Sequence, residues 1–381
     1  MHSEKNRHIK GFNGLRAIAC FSVFIVHFAQ ITKVDLNLGV INITQLMENG
    51  NTGVALFFIL SGFLLSLPFW NKKDHSHSGV NLFQYWIKRL CRIVPAYYVC
   101  LIGLIILQKR WDHSNALTDI LLHFFFLHNL SETSIYNINP PFWTLAVEMQ
   151  FYLMLPFFFY FSRSIRFKRK VVCFLMIGAS IYLLNHFFIE FILKIDTWPF
   201  NSSHFPQNGN VLKKSTIAHL PHFLIGTATA GGYLHLLNKK GNYRNTNLKN
   251  DFFWLVSFLS IFVILSTPLD EILSIQNGRY NFPYIPVLIA IIVLCTPFTV
   301  YIKEILEINL IRYLGLISYG IYIYHLPLMR FVAKIMDKFG YSVEVHWLGF
   351  VSISLIITIL VSSISYFVIE KYPIAFAKHY D

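Results

Sequence analysis

The chain has 381 residues, 55% hydrophobic and 13% charged, with a formal net charge of +13. That composition is too apolar for a soluble domain and leaves room for about ten membrane helices of roughly 20 residues each. The Lys and Arg residues stand in short connectors between apolar runs, as the positive-inside rule requires, so the charge does not point to nucleic acid.

The first apolar run, GFNGLRAIACFSVFIVHFAQ at 11–30, carries an Arg and a His inside otherwise apolar sequence. At 100° per residue, Arg16 and His27 fall within about 20° of one helix face and roughly 16 Å apart along the axis. An ionisable side chain within a span costs roughly 2.5 to 3.5 kcal/mol, so two on one stripe predict a polar cavity. The alternative is that each snorkels to its own interface. The run follows a basic start, but no small-x-small cleavage site ends it, and it is read as retained and not as a signal peptide.

Further spans are predicted at 52–70, 93–108, 142–161, 171–193, 217–237, 253–272, 283–302, 313–333 and 347–369, which makes ten with 12–30. The segment Ala116 to Leu130 is apolar but short and is interrupted by His123 and His128, so it is read as re-entrant or interfacial. With the N-terminus inside, the inner segments hold 21 of the 32 Lys and Arg residues and the outer segments 9, which places both termini in the cytoplasm. The outer loops include 31–51, 109–141 and 194–216, which are longer than most of the inner connectors, between them contain Asn, Ser, His and Pro, and could frame an acceptor site. Within the last, Asn201 to Asn210 has the Pro and Gly chemistry of a loop. Five cysteines, Cys20, Cys91, Cys100, Cys173 and Cys295, show no C-x-x-C pair and no His at metal-ligand spacing, and they read as small core residues with no metal expected. No repeat or soluble domain is visible, so 1–381 is expected to form a single integral-membrane, all-α domain.

Three groups of residues could carry chemistry. Lys88, Arg89 and Arg92 precede the third span, and Arg89 and Arg92 share a face at i and i+3. Such a pair can clasp a phosphate through guanidinium forks, or it can simply anchor the helix, as can the basic cluster at 163–170. Glu148 sits about two turns into the fourth span, near the depth estimated for His27. There it would orient the imidazole, or else form an ion pair with Arg16 or another cation. The ninth span adds His325 with Ser318, Tyr319 and Tyr322 at helical spacing, which are candidates for chemistry or for helix-packing contacts.

These residues lie in blocks that resemble the integral-membrane acyltransferase-3 family. The blocks are FNGLRAIACFSVFIVHF at 12–28, GVALFFILSGFLLS at 53–66, RLCR with Arg89 and Arg92 followed by IVPAYY, and FWTLAVEMQFYLMLP at 142–156. LGLISYGIYIYHLPL at 314–328 is similar too. The sequence departs from the family pattern at Asn13, where Asp is common, at Ala55, where a polar or acidic residue often stands, and at Met149, where a second Glu is frequent. The resemblance implies a bacterial inner-membrane enzyme that moves an acyl group, with acetyl the expected one, from cytoplasmic acyl-CoA to a hydroxyl. That hydroxyl belongs to a cell-surface carbohydrate such as lipopolysaccharide or to a lipid-linked (glycolipid) precursor. It also implies that His27 is the essential histidine, Arg16 its same-helix partner, and Arg89 and Arg92 the pair that handles the donor. Ser61, Tyr322 and Trp143 are candidate donors to the developing oxyanion. The competing reading is a proton-coupled transporter or flippase, whose usual signature is a repeat with matched broken helices, and none is visible.

Overall fold

A computed structural model describes residues 9–39, 41–70, 80–194, 210–240, 246–269, 272 and 282–380. Helix α1 is Phe12–Thr32. It starts where Gly11 takes a left-handed conformation (φ 88°) and donates its N–H to Glu307 Oε1 at 2.7 Å, and it ends at the left-handed Lys33. A carboxylate at a helix N-terminus also meets the positive end of the helix dipole. The short α2, Ile43–Glu48, leads into α3, Thr52–Trp70, and then α4 is Leu82–Leu107. Next come α5, Ala116–Phe124; α6, Trp143–Phe161; α7, Phe167–Lys194; α8, Asn210–Lys213; and α9, Thr216–Lys240. Then follow α10, Leu248–Ser266; α11, Tyr284–Cys295; α12, Ile302–Leu306; and α13, Asn309–Leu316. The last helices are α14, Ser318–Lys338; α15, Trp347–Ser365; and α16, Lys371–Ala377, the last two joined by a π-helical turn.

Seven of these runs, containing α1, α3, α4, α6, α7, α10 and α15, are long and apolar enough to cross a membrane. The protein is therefore an all-α, multi-pass membrane protein. The three other sequence-predicted spans correspond to α9, α11 and α14. Helix α9 has 25 residues but three histidines, α14 has 21 residues but ends in Arg330, Lys334, Asp337 and Lys338, and α11 has only 12 residues. The ninth predicted span is broken at Ile317, where α13 gives way to α14. Segment 116–130 holds the nine-residue α5, about 13 Å long, and a 3-10 turn at His128–Leu130, against a hydrocarbon layer of about 30 Å. The loop expected at 201–210 lies outside the described residues except for Asn210, which opens α8.

Helix α4 begins eleven residues before the span expected at 93–108, capped by the Asn81 side chain, which accepts from Gln84 N at 3.2 Å. Arg89 and Arg92 therefore lie inside a helix and not on its flank. Hydropathy alone ends the span at the charges, whereas the helix runs through them because the protein supplies polar surroundings.

Side-chain contacts give the relative direction of the helices. Cys20 Sγ donates to Ser318 O at 3.3 Å and the rings of His27 and His325 meet at 3.1 Å. Both pairs are 298 positions apart, so α1 and α14 run parallel in one register. Helix α4 runs with them, since Tyr319 OH donates to Ile93 O and Cys100 Sγ to Ile323 O. Helices α3 and α6 run the other way: Phe12 packs on Phe63 while Gly53 meets Ala19, and Tyr85 OH donates to Tyr152 O while Tyr97 stacks near Phe142.

Helices α3 and α9 cross where Gly62 faces Phe223 O and Gly226 faces Ile59 O, and a Cβ at either glycine would stand 2.1 Å from that carbonyl. Close backbone approach at small residues is how membrane helices pack without a hydrophobic drive between them. It also fixes the rotation of Ser61 next door. Gly226→Leu should therefore cost about 1 to 3 kcal/mol or more through overpacking against backbone. A clear drop in the thermal midpoint of the detergent-purified protein, followed by size-exclusion fluorescence, is the expected result.

Candidate active site

A cavity of about 80 Å³ lies among α1, α3, α4, α6 and α14, with Arg16, Ser61, Arg89, Arg92, Glu148 and Tyr152 in its wall. That is room for roughly two or three waters, or one small oxyanion. Glu148 Oε1 accepts from Ser61 Oγ at 2.6 Å and from Tyr152 OH at 2.7 Å. Among the described residues none of the three arginines closes an ion pair on it. Arg89 Nε is buried with no hydrogen-bond acceptor. Three guanidinium groups facing one carboxylate leave the cavity positive, and in a low-dielectric interior that excess is unfavourable until an anion enters. The unpartnered Nε–H of Arg89, a residue of the cavity wall, is a donor that an anion could satisfy.

Toward the other end of α1, beyond Tyr322 and Thr144 in the cavity wall, stands a pair of histidines. His325 is 1% exposed, and its Nδ1 lies 2.8 Å from Tyr322 O and 3.1 Å from Ile321 O. Carbonyls only accept, so this nitrogen carries the proton and His325 Nε2 carries the lone pair. That lone pair is 3.1 Å from His27 Nδ1, which also lies 2.9 Å from Val23 O. Facing two acceptors, His27 Nδ1 must be the protonated one. The lone pair of His27 is thereby assigned to Nε2, the nitrogen left for chemistry. If His27 gains a proton there, its Nδ1–H still has both acceptors, so the imidazolium is accommodated without rearrangement.

A family model described as an acyltransferase domain matches residues 9–367, which takes in every element of this site. The chain belongs to the acyltransferase-3 family. O-acetyltransferase OatA of Staphylococcus aureus, in strains COL and MW2, is 25% identical over 377 residues, covering 96% of this chain and 57% of the relative. A further protein of strain COL, provisionally named an O-acetyltransferase, is 26% identical over 380 residues, again covering 96% of this chain and 57% of its own length. The chain thus spans little more than half the length of the curated relatives it matches. No solved structure matches it.

The acyltransferase-3 blocks identified in the sequence converge on these two sites. Arg16, Arg89, Arg92 and Glu148 come together at the cavity, but Glu148 is not the partner of His27, as its estimated depth suggested. The reason lies in where α6 starts. The Asn139 side chain donates to Ile323 O at 3.0 Å and Thr144 Oγ1 lies 2.6 Å from Tyr322 OH, so α6 begins well inside the bundle, level with the second turn of α14. Glu148, one turn on, is thus carried past His27 toward the arginines. The orienting role falls to His325, which sequence reasoning named without placing. The HLP of 325–327 carried no spacing signal linking it to α1.

Of the expected oxyanion donors, Ser61 donates to Glu148, and Tyr322 shares its proton with Thr144 and Pro141 O. Trp143 stacks near His219 and under Lys214, whose ammonium lies 4.3 Å from the indole centroid. Among the family departures, Ala55 is fully buried in α3 and Met149 packs on the main core, so neither side chain belongs to the cavity wall. Among the described residues no cluster of three or more His, Cys, Asp or Glu could hold a metal ion.

His325→Ala should remove one of the two hydrogen bonds that orient the His27 ring, leaving only the Val23 carbonyl. A bond of this kind is worth about 1 to 2 kcal/mol, so transfer should fall roughly 5- to 30-fold with little change in donor KM. Steady-state kinetics on purified protein checks both parts.

Proposed function

We propose that the protein is a membrane-embedded O-acyltransferase that moves an acyl group, with acetyl the expected one, from cytoplasmic acyl-CoA to a hydroxyl on the outer face of a bacterial inner membrane. The acceptor is a cell-surface carbohydrate or its lipid-linked precursor. The observation that carries this reading is the three-arginine cavity, with its unpartnered Arg89 Nε, and, further along the same pair of helices α1 and α14, a histidine with a free lone pair. Coenzyme A is polyanionic and cannot cross a membrane, whereas its extended pantetheine arm is of the same order as the roughly 16 Å rise from Arg16 to His27.

In this mechanism Arg89, Arg92 and Arg16 hold donor phosphate oxygens and position the thioester near His27. His27 Nε2 takes the proton of the acceptor hydroxyl as its oxygen bonds to the thioester carbonyl carbon. The C–S bond breaks, and the proton ends on the leaving thiolate, giving ester and free CoA. The reading includes ten crossings with both termini cytoplasmic, in a single domain spanning residues 1–381. The parallel run of α1, α4 and α14 against α3 and α6 supports that arrangement, as does the Lys/Arg bias of the connectors. The expected result in a gene-deletion strain is loss of one acyl substituent from surface glycans by mass spectrometry, restored by the wild-type chain. Unchanged glycans in both strains would count against a carbohydrate acceptor.

A further inference from the structure

A second groove, of about 1020 Å³, opens beyond the histidines between the ends of α1, α4 and α14. Its walls are apolar, with Ile31, Leu104, Leu107 and Phe331, and its rim is basic, with Arg110, Arg330 and Lys334. Leu107 is 81% and Phe331 56% exposed, so the groove is open along the face where a membrane protein meets lipid tails. Arg330 lies five residues past His325 on the same helix, about 7.5 Å along the axis. Arg330 and Arg110 line the same groove. Arg110 is held in place by Gln108 Oε1 at 2.7 Å and by the Asn137 side chain and carbonyl. Among the described residues neither Arg330 nor Lys334 has a carboxylate partner. Two like charges lining one apolar groove with no carboxylate between them are unfavourable unless something anionic joins them.

We infer that this groove holds the acceptor by its lipid anchor, and that the anchor is joined to the acceptor through a phosphate ester. The tail lies along Ile31, Leu104 and Phe331, and the phosphate oxygens meet the forks of Arg330 and Arg110. The group beyond the phosphate is then placed beside His27 Nε2. A free carbohydrate would have no use for the apolar wall, and a neutral lipid none for the cations. This deepens the proposed function and rests on it for the identity of the reacting group, but the binding itself can be read without any acyl transfer.

The test uses the purified full chain in detergent with geranylgeranyl phosphate, geranylgeraniol, inorganic phosphate and phosphatidylglycerol as probes. The expected result is that geranylgeranyl phosphate binds at least about tenfold tighter than the alcohol, from two basic contacts at an interface. The variant Arg110→Gln/Arg330→Gln should erase that preference, Arg330→Lys alone should retain part of it, and Leu104→Trp should weaken both isoprenyl probes by narrowing the groove. Equal binding of phosphate and alcohol, or no effect of the charge variant, would overturn the proposal. Tight binding of inorganic phosphate alone would leave an anion site with no lipid, and full competition by phosphatidylglycerol would reduce the groove to a seat for bulk lipid. Either outcome also overturns it. If the binding pattern holds while no variant or wild type transfers acyl groups, the groove stands and the proposed function fails.

Discussion

His27→Ala should lower acyl transfer by about 10²- to 10⁴-fold, the range that a positioned proton acceptor supplies. Folding should survive, because the ring is only half-buried and its removal leaves the α1–α14 contact from Cys20 to Ser318 intact. Purified variant and wild type should therefore share one thermal midpoint while differing in turnover. Near-normal transfer by the variant would return His27 to an interfacial anchor. The same lone pair could act on the thioester carbonyl directly, and labelling separates the two routes. Radiolabelled acyl-CoA incubated without acceptor marks His27 only if the acyl group passes through the imidazole, so normal turnover without label assigns His27 as base.

Arg89→Lys should raise the donor KM at least about tenfold and leave the turnover of bound donor much closer to wild type. An ammonium keeps the charge but loses the planar fork, and the Nε–H that now lies buried without an acceptor disappears. A charge-assisted hydrogen bond lost at a buried site costs about 1.5 to 3 kcal/mol, which sets that scale. Isothermal titration with CoA, in which no chemistry occurs, reads the same loss directly. Glu148→Gln should act at the same cavity and not through His27, because Glu148 touches Ser61 and Tyr152 and not the imidazole. Equal CoA affinity for wild type and Arg89→Lys would remove the arginines from donor binding.

The all-α membrane class was legible from composition, because long apolar runs between basic connectors have few other solutions. The cavity residues were legible as well. Arg16, Arg89, Arg92 and Glu148 are costly inside a membrane, so their presence in apolar sequence already marked them. What could not be read was how the helices are placed along one another. Depth counted from the ends of apolar runs put Glu148 opposite His27, whereas α6 begins inside the bundle, tied to Tyr322 and Ile323. A loop that enters the bundle, like the one from Phe125 to Phe142, leaves no periodic trace in a sequence. The start of α4 failed for a related reason: hydropathy ends a span at its charges, while a helix ends where its backbone hydrogen bonds do. The His27–His325 pair depends on the parallel register of two helices 298 residues apart, which local pattern cannot specify.

The central claim is that donor and acceptor meet at His27 from opposite sides of the membrane. Reconstitute the protein into sealed vesicles of known orientation, with radiolabelled acetyl-CoA confined to the side of residues 163–170 and glycan acceptor confined to the other. The account predicts labelled acceptor in this arrangement, none with the compartments exchanged, and none with His27→Ala. Transfer only when both substrates share one compartment would contradict it.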